Sequence, residues 1–243
     1  MSARRIFVTA KMTGLELGRR RIALGLLTAL PLAFYGGSVS RGSAAVITGG
    51  VAMAFSIAGA SIFVSLTARP VDPRLILAGY HPTELLLGRV LLLELFGVLV
   101  SGLFSVVMVF GSDPTHPWAL AAGVGLVALT SVPFGLAVGG LSPHELEGVL
   151  VLIGVVGVQL TLFSTQIVAK FLPFWGGQRL LDHSVNPVAA GAAVPVNIAY
   201  AAGLFAIAVY VMRRQAPVVG GATRHGGNPL LAGAPTTAPS PRG

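Results

Sequence analysis

The chain has 243 residues, of which 54% are hydrophobic and only 10% charged, with a mean hydropathy of +0.83. A soluble domain carries about 25% charged residues, so this composition excludes an ordinary water-soluble globule, a disordered chain and a fibrous one. It points to an all-α, polytopic membrane protein, because a helix needs about 20 apolar residues to cross about 30 Å of hydrocarbon.

Lysine and arginine total 16 against 8 aspartates and glutamates, a net charge of +8. The basic residues flank apolar runs, where they set orientation and meet anionic headgroups. No basic stripe is interleaved with aromatic residues, so nucleic-acid binding is not expected. Cysteine is absent. That excludes disulfide scaffolds, cysteine-ligated zinc and thiol catalysis.

In chain order, residues 1–21 form a basic segment holding Arg4, Arg5, Lys11, Arg19, Arg20 and Arg21. Ile6, Ala10 and Leu17 fall near one helical face, which predicts a helix lying along the membrane surface. Six apolar spans follow, at about 22–37, 44–66, 90–111, 118–141, 149–169 and 195–212. Pro31 and Pro133 lie inside the first and fourth. Residues 213–243 are rich in Gly, Pro, Ala and Thr without periodicity, which predicts a disordered cytoplasmic tail.

Orientation follows from the basic residues. The N-terminal segment, the loops 67–89 and 142–148 and the tail together hold thirteen, and the opposite side holds three: Arg41, Lys170 and Arg179. The positive-inside rule puts both termini in the cytoplasm. Fourteen arginines against two lysines suggest a GC-rich bacterial genome, hence a bacterial cytoplasmic membrane.

Motifs for chemistry are few. The two lysines, Lys11 and Lys170, each follow an alanine, so no phosphate-binding Gly-Lys-Ser/Thr loop exists. His144-Glu145-Leu146-Glu147 lacks the second histidine that a helical zinc site needs, and no Gly-x-Ser-x-Gly elbow occurs. The five histidines are scattered among predicted loops, so neither a metal site nor a triad is expected. His144, Glu145 and Glu147 read as the solvated cap of span five.

Glu94 is the carboxylate deepest inside a span. Two readings stand: a proton relay or cationic-substrate contact, and a structural carboxylate about one turn deep. Gln159 and Gln166 are seven apart on span five, so they share a helix face and either bond across helices or line a cavity. Gly135 and Gly139 form a small-xxx-small pair that lets a neighbouring helix come close. In the loop 67–89, Arg69-Pro70 and Asp72-Pro73 break the helix. Thr83 can cap the next helix, with Glu84 in its first turn. A short helix there, polar at its ends and apolar between, is either a docking element for a cytoplasmic partner or a plain interfacial loop.

At these residues the chain resembles the integral-membrane permease of type-2 ABC exporters. That family carries a cytoplasmic helix between spans two and three. The matching stretch is Arg74-Leu75-Ile76-Leu77-Ala78-Gly79-Tyr80-His81-Pro82-Thr83-Glu84-Leu85-Leu86-Leu87-Gly88-Arg89. A second likeness follows span five: Leu162-Phe163-Ser164-Thr165, then Phe171-Leu172-Pro173-Phe174-Trp175, then Asn186-Pro187. Thr165 stands where the family usually has Gly, and Gly176-Gly177 where it has bulkier residues.

The resemblance implies a transport subunit with no catalytic site and no cofactor of its own. ATP and Mg would sit on a separate ABC ATPase subunit, and a second or related permease would pair with this one in the bilayer. Motion of the ATPase would reach the spans through the helix at about 74–89, with Arg74, Leu75, Leu77, Tyr80, Glu84 and Arg89 as its coupling residues. Substrate would leave near spans two and five, with Phe171, Pro173 and Trp175 closing the outer side. Small apolar span residues suit a hydrophobic or amphipathic cargo: a drug, an antibiotic or a lipid. The alternatives are an ion-coupled carrier using Glu94 and a membrane-embedded enzyme.

Overall fold

The structure is a computed structural model describing residues 3–19 and 21–215. Residues 1, 2 and 20 of the basic segment and 216–243 of the predicted tail lie outside the described residues. Those described form helices and loops with no strand. The helices are α1 (Ala3–Arg19), α2 (Arg21–Ser38), α3 (Ser43–Ala68), α4 (Asp72–Leu77), α5 (Pro82–Ser112), α6 (Pro117–Leu141), α7 (Glu145–Thr161), α8 (Trp175–Val185) and α9 (Ala193–Gln215). Two 3-10 turns, Val39–Arg41 and Val168–Phe171, lie between them.

Four helices, α3, α5, α6 and α9, are long and apolar enough to cross a membrane. That identifies a membrane protein by length and composition. α2 and α7 are shorter, at 18 and 17 residues.

Local chemistry sets the ends. Pro82 and Pro117 occupy first-turn positions of α5 and α6, where the missing N–H costs nothing. Asp113 ends α5 in a left-handed conformation, φ 45°, just before Pro114. Glu145 and Glu147 sit in the first turn of α7, and Arg213 and Arg214 in the last turn of α9, each complementing the helix dipole. The backbone N–H of His81 is accepted by the Glu84 carboxylate at 3.3 Å, so His81, not Thr83, is the cap of α5.

The core is the α3–α6 pair. Both are buried nearly all round, with Val51, Met53, Ile57, Val124, Val127 and Val132 sealed from solvent. Gly135 and Gly139 make that closeness possible. A Cβ on Gly139 would stand 2.8 Å from the Ser65 Cβ and 3.0 Å from the Ile62 backbone. α5 and α9 instead present long apolar faces outward, including Leu95, Leu99, Leu103 and Phe110.

The helix expected to start near Thr83 begins at Pro82 and runs unbroken into the third span. Two expectations are corrected. The stretch 74–89 is not one helix but the end of α4, a turn, and the first two turns of α5. The fifth span stops at Thr161 rather than 169. Its terminal carbonyls go to a side chain of another helix: Gln178 Nε2 donates to the oxygens of Gln159 at 3.3 Å and Leu162 at 2.6 Å. The chain then folds back through residues 162–174 into α8.

α8 lies against one end of α6 and the first turns of α9. Gly177 approaches Val127 and the Gly123 carbonyl, while Gly176 abuts Ala193 and Asn197. No side chain fits between these backbones at Gly176 or Gly177. The opposite end of the bundle collects Arg5, Arg69, Arg74, Arg89, Arg213 and Arg214, and is called the arginine end below.

Candidate functional site

The arginine end is built around the loop from α3 to α5. α4 opens on Asp72-Pro73 and closes at Gly79, whose φ of 88° suits glycine. The Tyr80 N–H then returns to the Leu75 carbonyl at 3.0 Å. Arg89, on the second turn of α5, grips Asp72 with both arms of its guanidinium. One bond, Nη1 to Oδ2, measures 2.9 Å, and Nη2 donates to Oδ1. Arg89 is buried and Asp72 nearly so. A bidentate pair at such low exposure fixes the angle between α4 and α5.

α1 closes over this loop. Arg5 Nη1 donates to the Gly79 carbonyl at 2.5 Å and stands 3.8 Å from the Glu84 carboxylate. Its guanidinium also lies 5.3 Å from the centre of the Tyr80 ring. Ile6 and Thr9 rest on Gly88, and Gly14 meets Leu92. α1, α4 and the first turns of α5 thus form one block.

The coupling residues expected from the sequence divide within it. Arg74 is exposed and Leu77 strongly so, at 69%. Leu75 and Tyr80 are half-buried and share a small pocket with Met12 and Thr13 of α1. Glu84 and Arg89 are buried and face their partners inside the block. The outward surface is therefore Val71, Arg74 and Leu77.

Sequence reading missed Arg69, Asp72 and Arg5. Arg69 stands one residue beyond α3 and reaches the end of α6. Its Nη2 donates to the carbonyls of Gly139 at 2.5 Å, Gly140 at 3.0 Å and Ser142 at 2.5 Å, and its Nη1 to Pro143 at 3.3 Å. Gln215, ending α9, also donates to Gly140 at 2.7 Å. A cation over the last carbonyls of a helix satisfies orphan acceptors and meets the negative end of the dipole. The only signal in the sequence was an arginine before a proline.

At the opposite end, Gln159 is fully buried and donates to Gln178. Gln166 is exposed in the turn beyond α7, so the two glutamines do not share a helix face. Phe171 is exposed, Pro173 half-buried, and Trp175 buried with its indole N–H on the Ser164 carbonyl at 2.8 Å. Ser164 donates to Asp182, which also accepts from Asn186 at 2.7 Å. Asn197 bonds Thr130 at 2.6 Å and the Leu126 carbonyl at 3.0 Å, and accepts the Gly177 N–H. The segment 162–186 is thus held by polar side chains on its inner face, with Phe163, Ile167, Val168 and Phe171 outside.

No family model and no curated protein matches this chain.

Glu94 lies half-buried on α5 between buried Leu93 and exposed Leu95. Its carboxylate has no hydrogen bond or ion pair among the described residues. His144 and Glu147 stand 3.3 Å apart, both exposed, at the start of α7. Among the described residues no three His, Asp or Glu side chains converge as metal ligands would.

Proposed function

We propose that the chain is the membrane-spanning permease subunit of an ATP-driven exporter of the type-2 ABC kind. In this reading α2, α3, α5, α6, α7 and α9 all cross the bilayer, and the arginine end faces the cytoplasm. α1 lies along the inner surface, and α4 with the start of α5 is the coupling element. ATP and Mg are held by a separate ABC ATPase subunit, and a second permease, identical or related, completes the pore. The protein is then a transport subunit and not itself an enzyme. It moves a hydrophobic or amphipathic compound outward across a bacterial cytoplasmic membrane.

One observation carries this reading: the block of α1, α4 and α5. A loop that only linked two spans would need no buried Arg89–Asp72 pair and no second helix strapped across it by Arg5. A loop that receives force needs both, because a push on a floppy connection is lost before it reaches the spans. The exposed apolar Leu77, beside Arg74 and Val71, is the kind of surface a partner covers.

The test is reconstitution. Vesicles holding the chain with its co-purifying ATPase should accumulate a fluorescent amphiphile on addition of ATP-Mg, and vesicles holding the chain alone should not. Transport by the chain alone, driven by an ion gradient, would overturn the reading.

A further inference from the structure

A groove of about 520 Å³ runs between α1, α2, α3 and α7. That is the size of a site for a small organic molecule. Its walls are aliphatic and aromatic, with Phe34, Phe55, Phe63 and Leu152 among them, and among the described residues Glu145 is the one charged residue on its lining. Glu145 marks one end. It sits in the first turn of α7, where a Cβ added at Gly148 would stand 3.1 Å from the Ile62 side chain, level with the last turns of α3. Phe34 and Phe55 mark the other end, stacked at 5.9 Å with their planes 15° apart. Phe55 to Leu66 on α3 spans about 16 Å at 1.5 Å per residue. The Glu145 carboxylate is exposed, with no hydrogen bond or ion pair among the described residues.

We propose that this groove binds a cationic amphiphile, its ammonium or phosphonium group against Glu145 and its apolar body along α3 toward the Phe34–Phe55 pair. The apolar walls select for hydrophobic surface and reward its removal from water. The unpaired carboxylate at their rim selects the charge. An anionic phospholipid would bring an uncompensated phosphate toward Glu145 and be repelled, and a neutral chain would gain nothing from it. This deepens the exporter reading by naming its cargo class, and rests on that reading only for the direction of movement.

The full chain in the nonionic detergent dodecyl maltoside, without any ATPase, provides the test. Tritiated tetraphenylphosphonium should bind saturably and be displaced by tetradecyltrimethylammonium but not by tetradecanol. Glu145→Gln, isosteric and at an exposed helix start, should weaken binding about tenfold. Val149→Trp, which fills the groove from a part-exposed position, should abolish it, and Ile153→Trp should do the same from the next turn. Absence of saturable binding, full affinity in Glu145→Gln, or full affinity in both tryptophan variants would each overturn the proposal. Because no ATPase is present, such a result leaves the coupling reading standing, and a failed ATP-driven transport assay leaves the groove standing.

Discussion

Arg69 and Arg89 hold the arginine end by different means. Arg89 is buried against one carboxylate. Removing one member of a buried pair leaves the other charge without a partner and typically costs about 3–5 kcal/mol. Arg89→Ala should therefore lower the thermal midpoint of the purified protein sharply. Asp72→Ala should do the same, and the double variant should lose less than the sum of the two. Arg69 spreads one planar fork over several carbonyls. Lysine keeps the charge but cannot copy the fork, so Arg69→Lys should cost on the order of 1–2 kcal/mol in the same melt. None of this was legible locally. Arg69 and Asp72 each precede a proline and read as helix breakers, while the carbonyls that Arg69 holds lie 70 residues or more along the chain.

At the scale of elements, the apolar runs of α3, α6 and α9 announced themselves within a few residues, because hydropathy reports burial in protein and in lipid alike. The start of α5 was legible in Pro82, Thr83 and Glu84, with the cap falling on His81 instead of Thr83. One boundary escaped for a physical reason. Residues 162–169 are as apolar as a span, and α7 is stopped instead by Gln178, which is 16 residues beyond Leu162. Gln178→Leu should leave those carbonyls unpaired at a cost of about 1–3 kcal/mol and loosen the turn into α8, read as faster amide exchange over 162–174. The Gly135-Gly139 pair was legible as a place of close approach. Gly139→Leu must push Ser65 and Ile62 aside, and should destabilise by about 1–3 kcal/mol or more, checked by denaturation in detergent.

At the scale of the whole molecule, the proposed partner surface can be separated from the frame behind it. Leu77→Glu changes an exposed side chain and should release the ATPase in co-purification while the protein stays inserted and folded. Leu75→Glu touches the packing of α1 as well, and should lower stability besides. Glu94→Gln should leave ATP-driven transport unchanged, and its loss of transport would instead support an ion-coupled carrier.

Arg69 has a mechanical consequence. It staples the end of one central helix to the last carbonyls of the other, on top of a seam of glycines that already brings their backbones together. Neither helix can slide along or swing from the other without tearing those bonds. The two make a single stiff post, and in the exporter reading any rocking that opens a path must take place around it, at the looser seams on its flanks.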